Sequence, residues 1–271
     1  MQYFEYNYAN LVDLILLVGN KREGRNGGTL SLFGQQLKVT VENNFPLLQG
    51  RKMYPAGVLG EFAALVRQPK HIDDFTKWGC NYWDKWANED GSINVDYGNA
   101  WFDFNGFDQV ADLKDKLANN PTDRRMIINS WRPDRLADLS LPCCHYTYQF
   151  YVKNFGSSRK LNMVWIQRSV DMMIGLPSDI ILGAVWLISL AREFGMTPGE
   201  ITFQLGDCHI YNEHIEGANE YLSRVRAYSS MPPVKYQYRQ AVGTPFELFE
   251  PSMLELINYK HASAIPFELK G

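Results

Sequence analysis

The sequence predicts an α+β fold, a mixed sheet with helices packed against it, formed by a single domain over residues 1–271. Three observations carry this. Several runs alternate apolar and polar residues as strands do, and several others repeat apolar residues at helical spacing. The two kinds are not arranged in regular strand–helix–strand succession, which excludes a doubly wound parallel sheet. No internal repeat, low-complexity tract or clear linker divides the chain, and its length suffices for one sizeable core.

Met1 to Leu17 reads as an amphipathic helix. Gly24 to Gly28 is a glycine-rich loop that leads into a strand, Thr29 to Val41, rich in Leu, Phe, Val and Thr. Gly57 to Val66 reads as a helix, and Ile72 to Trp86 as another with loops. Asp108 to Asn119 is an amphipathic helix with Val110, Leu113 and Leu117 on one face. Strand-like runs follow at Arg125 to Trp131, His145 to Lys153 and Lys160 to Arg168. Asp179 to Phe194 is apolar until Arg192, and is short for a membrane span, so a buried core helix is expected. Ile201 to Leu205 reads as a strand, and Asn212 to Val225 as a helix.

Hydrophobic residues make up 45 % and charged residues 21 % of the chain, as in ordinary globular proteins. Lys and Arg total 27 against 30 for Asp and Glu, a net charge of −3. Without a basic excess, nucleic acid is not an expected partner, and any cationic binding site must be local. The cysteines, Cys80, Cys143, Cys144 and Cys208, form no CxxC pair and no zinc-type spacing with histidine, so no metal site is expected. Few cysteines and no basic leader predict a reducing, cytoplasmic setting without a membrane segment.

The most informative stretch is Leu141-Pro142-Cys143-Cys144-His145-Tyr146-Thr147-Tyr148-Gln149-Phe150. Adjacent cysteines close a disulfide only under strain. Neighbours on a strand face opposite ways, so His145 does not become the base of Cys144 by adjacency alone. A reactive Cys144 requires cations to stabilise its thiolate. Candidates are Arg168 in Gln167-Arg168-Ser169-Val170-Asp171, the pair Arg124-Arg125, and Arg25 in the glycine-rich loop. Arginine also binds phosphate through its planar fork of donors.

These segments together resemble the thymidylate synthase family over nearly the whole chain. Arg25-Asn26-Gly27-Gly28-Thr29-Leu30-Ser31-Leu32-Phe33-Gly34 is similar to the family's phosphate loop, one residue shorter. Glu61, Tyr82-Trp83-Asp84-Lys85-Trp86, Tyr97-Gly98 and Asp123-Arg124-Arg125 follow in family order. The Cys-Cys-His run resembles the Pro-Cys-His nucleophile motif. Gln-Arg-Ser-x-Asp, Gly175-Leu176-Pro177 and Gly206-Asp207-x-His209-x-Tyr211 complete the set.

The resemblance implies that Cys144 adds to C6 of a pyrimidine nucleotide, which makes C5 a carbon nucleophile toward the methylene of 5,10-methylenetetrahydrofolate. It assigns Glu61 to proton transfer through ordered water, and Tyr97 and Asp207 to support of the nucleophile. Arg25, Arg168 and Ser169 are implied to hold the phosphate, His209 and Tyr211 the sugar hydroxyl, and Gln149 to belong to the nucleotide site. Trp83, Trp86, Asp171, Leu141 and Gly175 are implied on the folate side. Arg124 and Arg125 are implied to reach the neighbouring subunit's phosphate, in a homodimer that pairs through the sheet and shares its sites.

One departure concerns the base. The family's Gly-Leu-Pro-Phe-Asn is here Gly175-Leu176-Pro177-Ser178-Asp179. The replaced Asn donates to uracil O4 and accepts from N3–H. A carboxylate cannot donate, whereas cytosine offers a donor at N4 and an acceptor at N3. Asp179 therefore points to a cytidine nucleotide, unless it merely caps the following helix. Asp at this position resembles the deoxycytidylate hydroxymethylase branch, found in phages that modify the cytosine of their DNA and acting in the host cytoplasm. There, water completes the reaction to 5-hydroxymethyl-dCMP. Methylation of dCMP, thymidylate synthesis from dUMP with a protonated Asp179, and hydroxymethylation of CMP are the alternatives, together with a non-catalytic nucleotide- or RNA-binding homologue. The tail from Ala262 to Gly271 departs from the family's short apolar ending, and looser closure is expected of it.

Overall fold

Strand-like alternation builds the centre of the molecule, a mixed six-stranded sheet. The computed structural model describes residues 3–155, 158–227 and 231–270. The strands are β1 (Asn20–Gly24), β2 (Gly27–Thr40), β3 (Ile127–Asn129), β4 (His145–Phe155), β5 (Ser158–Asp171) and β6 (Thr197–Tyr211). They lie in the order β1-β2-β6-β5-β4-β3. All neighbours are antiparallel except β5 and β6. A parallel pair requires a crossover, and helix α6 (Gly175–Glu193) supplies it. One strand–helix–strand unit thus sits inside an otherwise antiparallel sheet, as the α+β expectation allows.

Register gives the sheet two unlike faces. Val39, Ile201, Met163 and Phe150 are paired across four strands and are all buried. The adjacent row, Lys38, Thr202, Val164, Gln149 and Ile127, points the other way and is exposed or half-buried. The buried face carries α6 and α1 (Tyr3–Val18). Helix α6 is apolar over most of its length, and most of its residues are buried, so its apolar character serves the core, as expected from its length.

The other helices are α2 (Pro55–Leu65), α3 (Asp73–Thr76), α4 (Asn99–Phe102), α5 (Gln109–Asn119) and α7 (Ile215–Ala227). Helix α5 buries Val110, Leu113 and Leu117 as its spacing predicts, and Asp108 caps it by accepting from the Ala111 amide at 2.8 Å.

Several boundaries differ from expectation for local reasons. Gly24 to Gly28 is not a free loop: β1 and β2 form a hairpin that turns at Arg25-Asn26. Every residue of β1 is exposed, so no apolar alternation marks it. Ile72 to Trp86 is helical only at α3 and in a 3-10 turn at Trp83–Trp86, with Gly79 at φ +82° between them. Strand β6 does not end at Leu205 but continues through Asp207 to Tyr211, because β2 and β5 pair with it there. The sequence pattern does not announce a further hairpin, of β7 (Lys235–Tyr238) and β8 (Leu254–Ile257). The expected helix start at Met1 and Gln2 and the final Gly271 lie outside the described residues.

Candidate active site

The C-terminal ends of parallel strands β5 and β6 and the start of α6 open onto a cleft of about 990 Å³. Arg25, Glu61, Trp83, Trp86, Tyr97, Leu141, Cys144, Arg168, Ser169, Asp171, Gly175, Asp179, His209 and Tyr211 all line it. The sequence scatters them over most of the chain, and the sheet brings them together.

Cys144 ends the loop before β4, and its thiol is free. Its amide donates to the Tyr97 hydroxyl. Gly98 permits that placement: it sits at φ +77°, and a Cβ there would meet the Leu65 carbonyl at 2.0 Å. Burial pushes the Cys144 thiol pKa up, and the Arg168 guanidinium is the strongest influence holding it down. Arg168 also organises the loop. Its Nε donates to the Cys143 carbonyl at 2.8 Å, its Nη2 to the Pro142 carbonyl at 3.0 Å, and its amide to the Cys144 carbonyl at 2.8 Å. This clamp on the nucleophile loop was not legible in the sequence.

Glu61 on α2 accepts from the Tyr82 hydroxyl at 2.6 Å and from the Trp83 indole at 2.8 Å. Burial nevertheless raises its pKa. Sequence reasoning missed Tyr82 as its partner. Trp83 stacks on Phe75 at 4.9 Å and is almost wholly buried, so core packing and cleft lining coincide in it. Trp86 meets its edge at 5.3 Å.

Asp179 does not cap α6. The helix begins at Gly175, and Asp179 lies in its second turn. The chain entering that helix is held instead by Asp171, whose Oδ1 accepts from the amides of Met173 at 2.8 Å and Ile174 at 3.2 Å. Gln167 Nε2 donates to Asp179 Oδ2 at 2.5 Å, and His145 Nε2 faces Oδ1 at 3.6 Å. Burial, reinforced by the nearby charge of Glu61, pushes the Asp179 pKa well above the carboxylate range. Both effects favour its protonated form.

A smaller pocket adjoins at the β1–β2 turn, where Arg22, Arg25, Ser169, Asp207, His209 and Tyr211 meet. Asp207 belongs here and does not line the cleft around Cys144. It accepts from Arg22 at 2.9 Å and from the Ser31 hydroxyl at 2.6 Å. Through these bonds it ties β6 to the hairpin that carries Arg25.

Arg124, Arg125 and Gln149 stand outside both pockets. Gln149 lies on the open sheet face and donates to the Arg124 carbonyl at 3.3 Å. Arg125 is highly exposed and pairs with Asp123 through Nε at 3.0 Å and Nη2 at 2.8 Å. Gln149 thus lies outside the cleft of its own chain.

The tail departs from the looseness expected of it. Residues Ala264 to Phe267 with Leu269 and Lys270 form one wall of the cleft. Lys85 Nζ donates to the Leu269 carbonyl at 2.5 Å, and His214 Nε2 lies 3.0 Å from the Glu268 carbonyl. Arg51 stacks over Phe267 at 4.8 Å. Among the described residues, no group of His, Cys, Asp and Glu could hold a metal.

Comparison with known proteins agrees with this geometry. The sequence model of the family described as thymidylate synthase matches residues 6–270. A thymidylate synthase of Corynebacterium aurimucosum is 37% identical over 226 residues, covering 81% of this chain and 83% of that protein.

Proposed function

This chain belongs to the thymidylate synthase family, and from that premise we propose that it transfers a one-carbon unit to C5 of dCMP, giving 5-hydroxymethyl-dCMP. As a member it is a one-carbon transferase, and its donor is 5,10-methylenetetrahydrofolate. The cleft fits that donor. Its wall offers the indoles of Trp83 and Trp86, the apolar Leu141 and the carboxylate of Asp171. The Trp86 Nε1 and Arg51 Nε atoms are buried there without a protein partner, so polar atoms of a ligand would satisfy them. When bound, the folate supplies a one-carbon unit at the methylene oxidation level.

The observation that carries the choice of base is Asp179: a half-buried carboxyl in the cleft wall, its pKa raised by desolvation, with Gln167 on one oxygen. Its acid proton matches N3 of cytosine, and its second oxygen accepts from N4–H₂. Cys144 Sγ forms a bond to C6, and the C5=C6 electron pair moves onto C5, ready to bond the one-carbon unit. Arg168 favours the thiolate and Tyr97 fixes the nucleophile's backbone. Arg25, Arg168 and Ser169 hold the phosphate, and His209 and Tyr211 the sugar. Glu61, whose pKa burial raises, takes a proton from the water that supplies the product's hydroxyl; C5 loses its hydrogen as a proton, tetrahydrofolate leaves, and the Cys144 thiolate is expelled from C6. A homodimer pairs through the open sheet face, and Arg124 and Arg125, in the turn before β3, serve the neighbouring phosphate.

The docked tail favours a second reading, dCMP methylation, because a closed wall excludes the water that hydroxymethylation consumes. Incubating the enzyme with dCMP or dUMP and methylenetetrahydrofolate tests both. We expect dCMP turnover, a product heavier by a hydroxymethyl group, and no dihydrofolate absorbance. Dihydrofolate with dCMP supports methylation, and turnover of dUMP alone defeats the cytosine reading.

A further inference from the structure

Helix α1 carries a carboxyl group on its apolar face. Glu5 shares that face with Phe4, Tyr8, Val12 and Ile15, and it is fully buried. A carboxyl costs free energy in such a place unless donors reach it. Its Oε1 accepts from three: the Gln49 amide at 2.8 Å, the Gly50 amide at 2.8 Å and the Tyr221 hydroxyl of α7 at 3.0 Å. Glu5 lines neither pocket, and the chemistry at Cys144 gives it no part.

Two successive amides that meet one oxygen fix the turn of the chain between them. Gly50 lets that turn press on α7, since a Cβ there would meet Tyr221 Cε2 and Val225 Cγ2, each at 2.8 Å. The next residue is Arg51, part of the cleft wall. Its Nη2 donates to the Met173 carbonyl, and its guanidinium lies over the Phe267 ring of the tail at 4.8 Å. The same segment seats the chain that leads into the tail. The Gln49 carbonyl accepts from the Ala262 amide at 2.8 Å, and Gln49 Nε2 donates to the Lys260 carbonyl at 3.0 Å. The Tyr259 hydroxyl accepts from the Met53 amide at 2.8 Å and donates to the Leu48 carbonyl at 2.9 Å.

We propose that Glu5 is a positioning residue for the folate side of the cleft: by fixing Gln49 and Gly50 from α1, it places Arg51 and seats the tail that Arg51 meets. The tail in turn reaches Lys85, between Trp83 and Trp86, so the wall it forms stands beside the two indoles. The nucleotide side is held differently. Arg168 and Ser169 on β5, and His209 and Tyr211 on β6, are fixed by the strand ladder, in which Glu5 and the Gln49–Gly50 turn take no part. The inference rests on the folate donor, which family membership supplies, and not on the choice of base.

Glu5→Ala removes the shared acceptor, and Glu5→Asp, which withdraws it by one methylene, takes its place if the truncated chain does not fold. Glu5→Gln keeps an oxygen for all three donors, and its NH₂ stands where Oε2 has no hydrogen-bond partner among the described residues. The first readout needs no ligand: amide hydrogen exchange in the full-length protein. We expect the Ala262 amide to exchange about tenfold faster or more in Glu5→Ala, with the amides of β5 as protected as in the wild type and Glu5→Gln close to the wild type throughout. The second is steady-state kinetics with methylenetetrahydrofolate and whichever of dCMP and dUMP the wild type turns over. We expect the folate KM to rise about tenfold or more in Glu5→Ala, with the nucleotide KM within about twofold of the wild type. An unchanged exchange rate at Ala262 or an unchanged folate KM overturns the proposal. Loss of protection in β5, or an equal rise in both KM values, makes Glu5 a support of the whole fold and overturns it too. A wild type that turns over neither nucleotide defeats the proposed function, while amide exchange still decides whether Glu5 seats the tail.

Discussion

Replacing Asp179 by Asn exchanges one oxygen for an NH₂ in a site that holds its shape. Gln167 can follow the exchange without loss. Its Nε2 donates to Asp179 Oδ2, and its Oε1 is buried without a partner, so a flip of the amide offers an acceptor where a donor stood. The cost therefore falls on the base. In the Asp179→Asn enzyme, N4–H₂ of dCMP meets an amide donor and N3 meets a carbonyl acceptor. Two buried polar pairs are mismatched, at about 1–3 kcal/mol each. The sum, about 2–6 kcal/mol, predicts a loss of about 30-fold to about 10⁴-fold in kcat/KM for dCMP. The same exchange matches uracil, so dUMP gains while dCMP loses. Tritium release from C5-tritiated nucleotides measures both substrates, whatever the product. An Asp179→Asn enzyme that keeps the wild-type ratio would show that the base is read elsewhere.

Three further outcomes are expected. Cys144→Ala and Arg125→Glu are each inactive alone, yet mixing the two after unfolding and refolding restores about a quarter of wild-type turnover, because half the dimers are mixed and each has one intact site; no recovery means the phosphate site is not shared. Burial raises the pKa of Asp179 and Glu61 in the fold, so the folded chain binds more protons than the unfolded chain above the ordinary carboxylate range. Stability therefore falls as pH rises toward the raised values, by up to about 1.4 kcal/mol per pH unit for each group, and urea titrations should show a shallower fall in Asp179→Asn. Gly98→Ala forces a Cβ onto the Leu65 carbonyl at a positive φ, so denaturation should show a loss of roughly 3 kcal/mol or more, with turnover reduced through the displaced Tyr97.

Single residues show where sequence pattern and fold agree and where they part. Val110, Leu113 and Leu117 announce α5 because their spacing follows the helix period, and each is buried. β1 stays hidden because all five of its residues are exposed, so pairing with β2 alone makes it a strand. Asp179 was legible as a residue type that reverses a donor and an acceptor. Its place in the second turn of α6 was not, since that depends on Asp171 starting the helix earlier than the apolar run does. The tail's docking was not legible because its residues depart from the family's ending. Lys85, Arg51 and His214, distant in sequence, hold it against the cleft.

By itself the sequence determined the motifs, their order and, through them, the family, which implies the covalent chemistry and the group proposed to meet the base. Those are properties of residue types and spacing along one chain. Only the tertiary structure decided how the groups are tuned. Whether Asp179 carries a proton depends on its burial and on Gln167 against it, and whether Cys144 ionises depends on Arg168 reaching across from β5. Desolvation and hydrogen-bond direction are set by neighbours in space, and the folded sheet chooses those neighbours from remote parts of the chain.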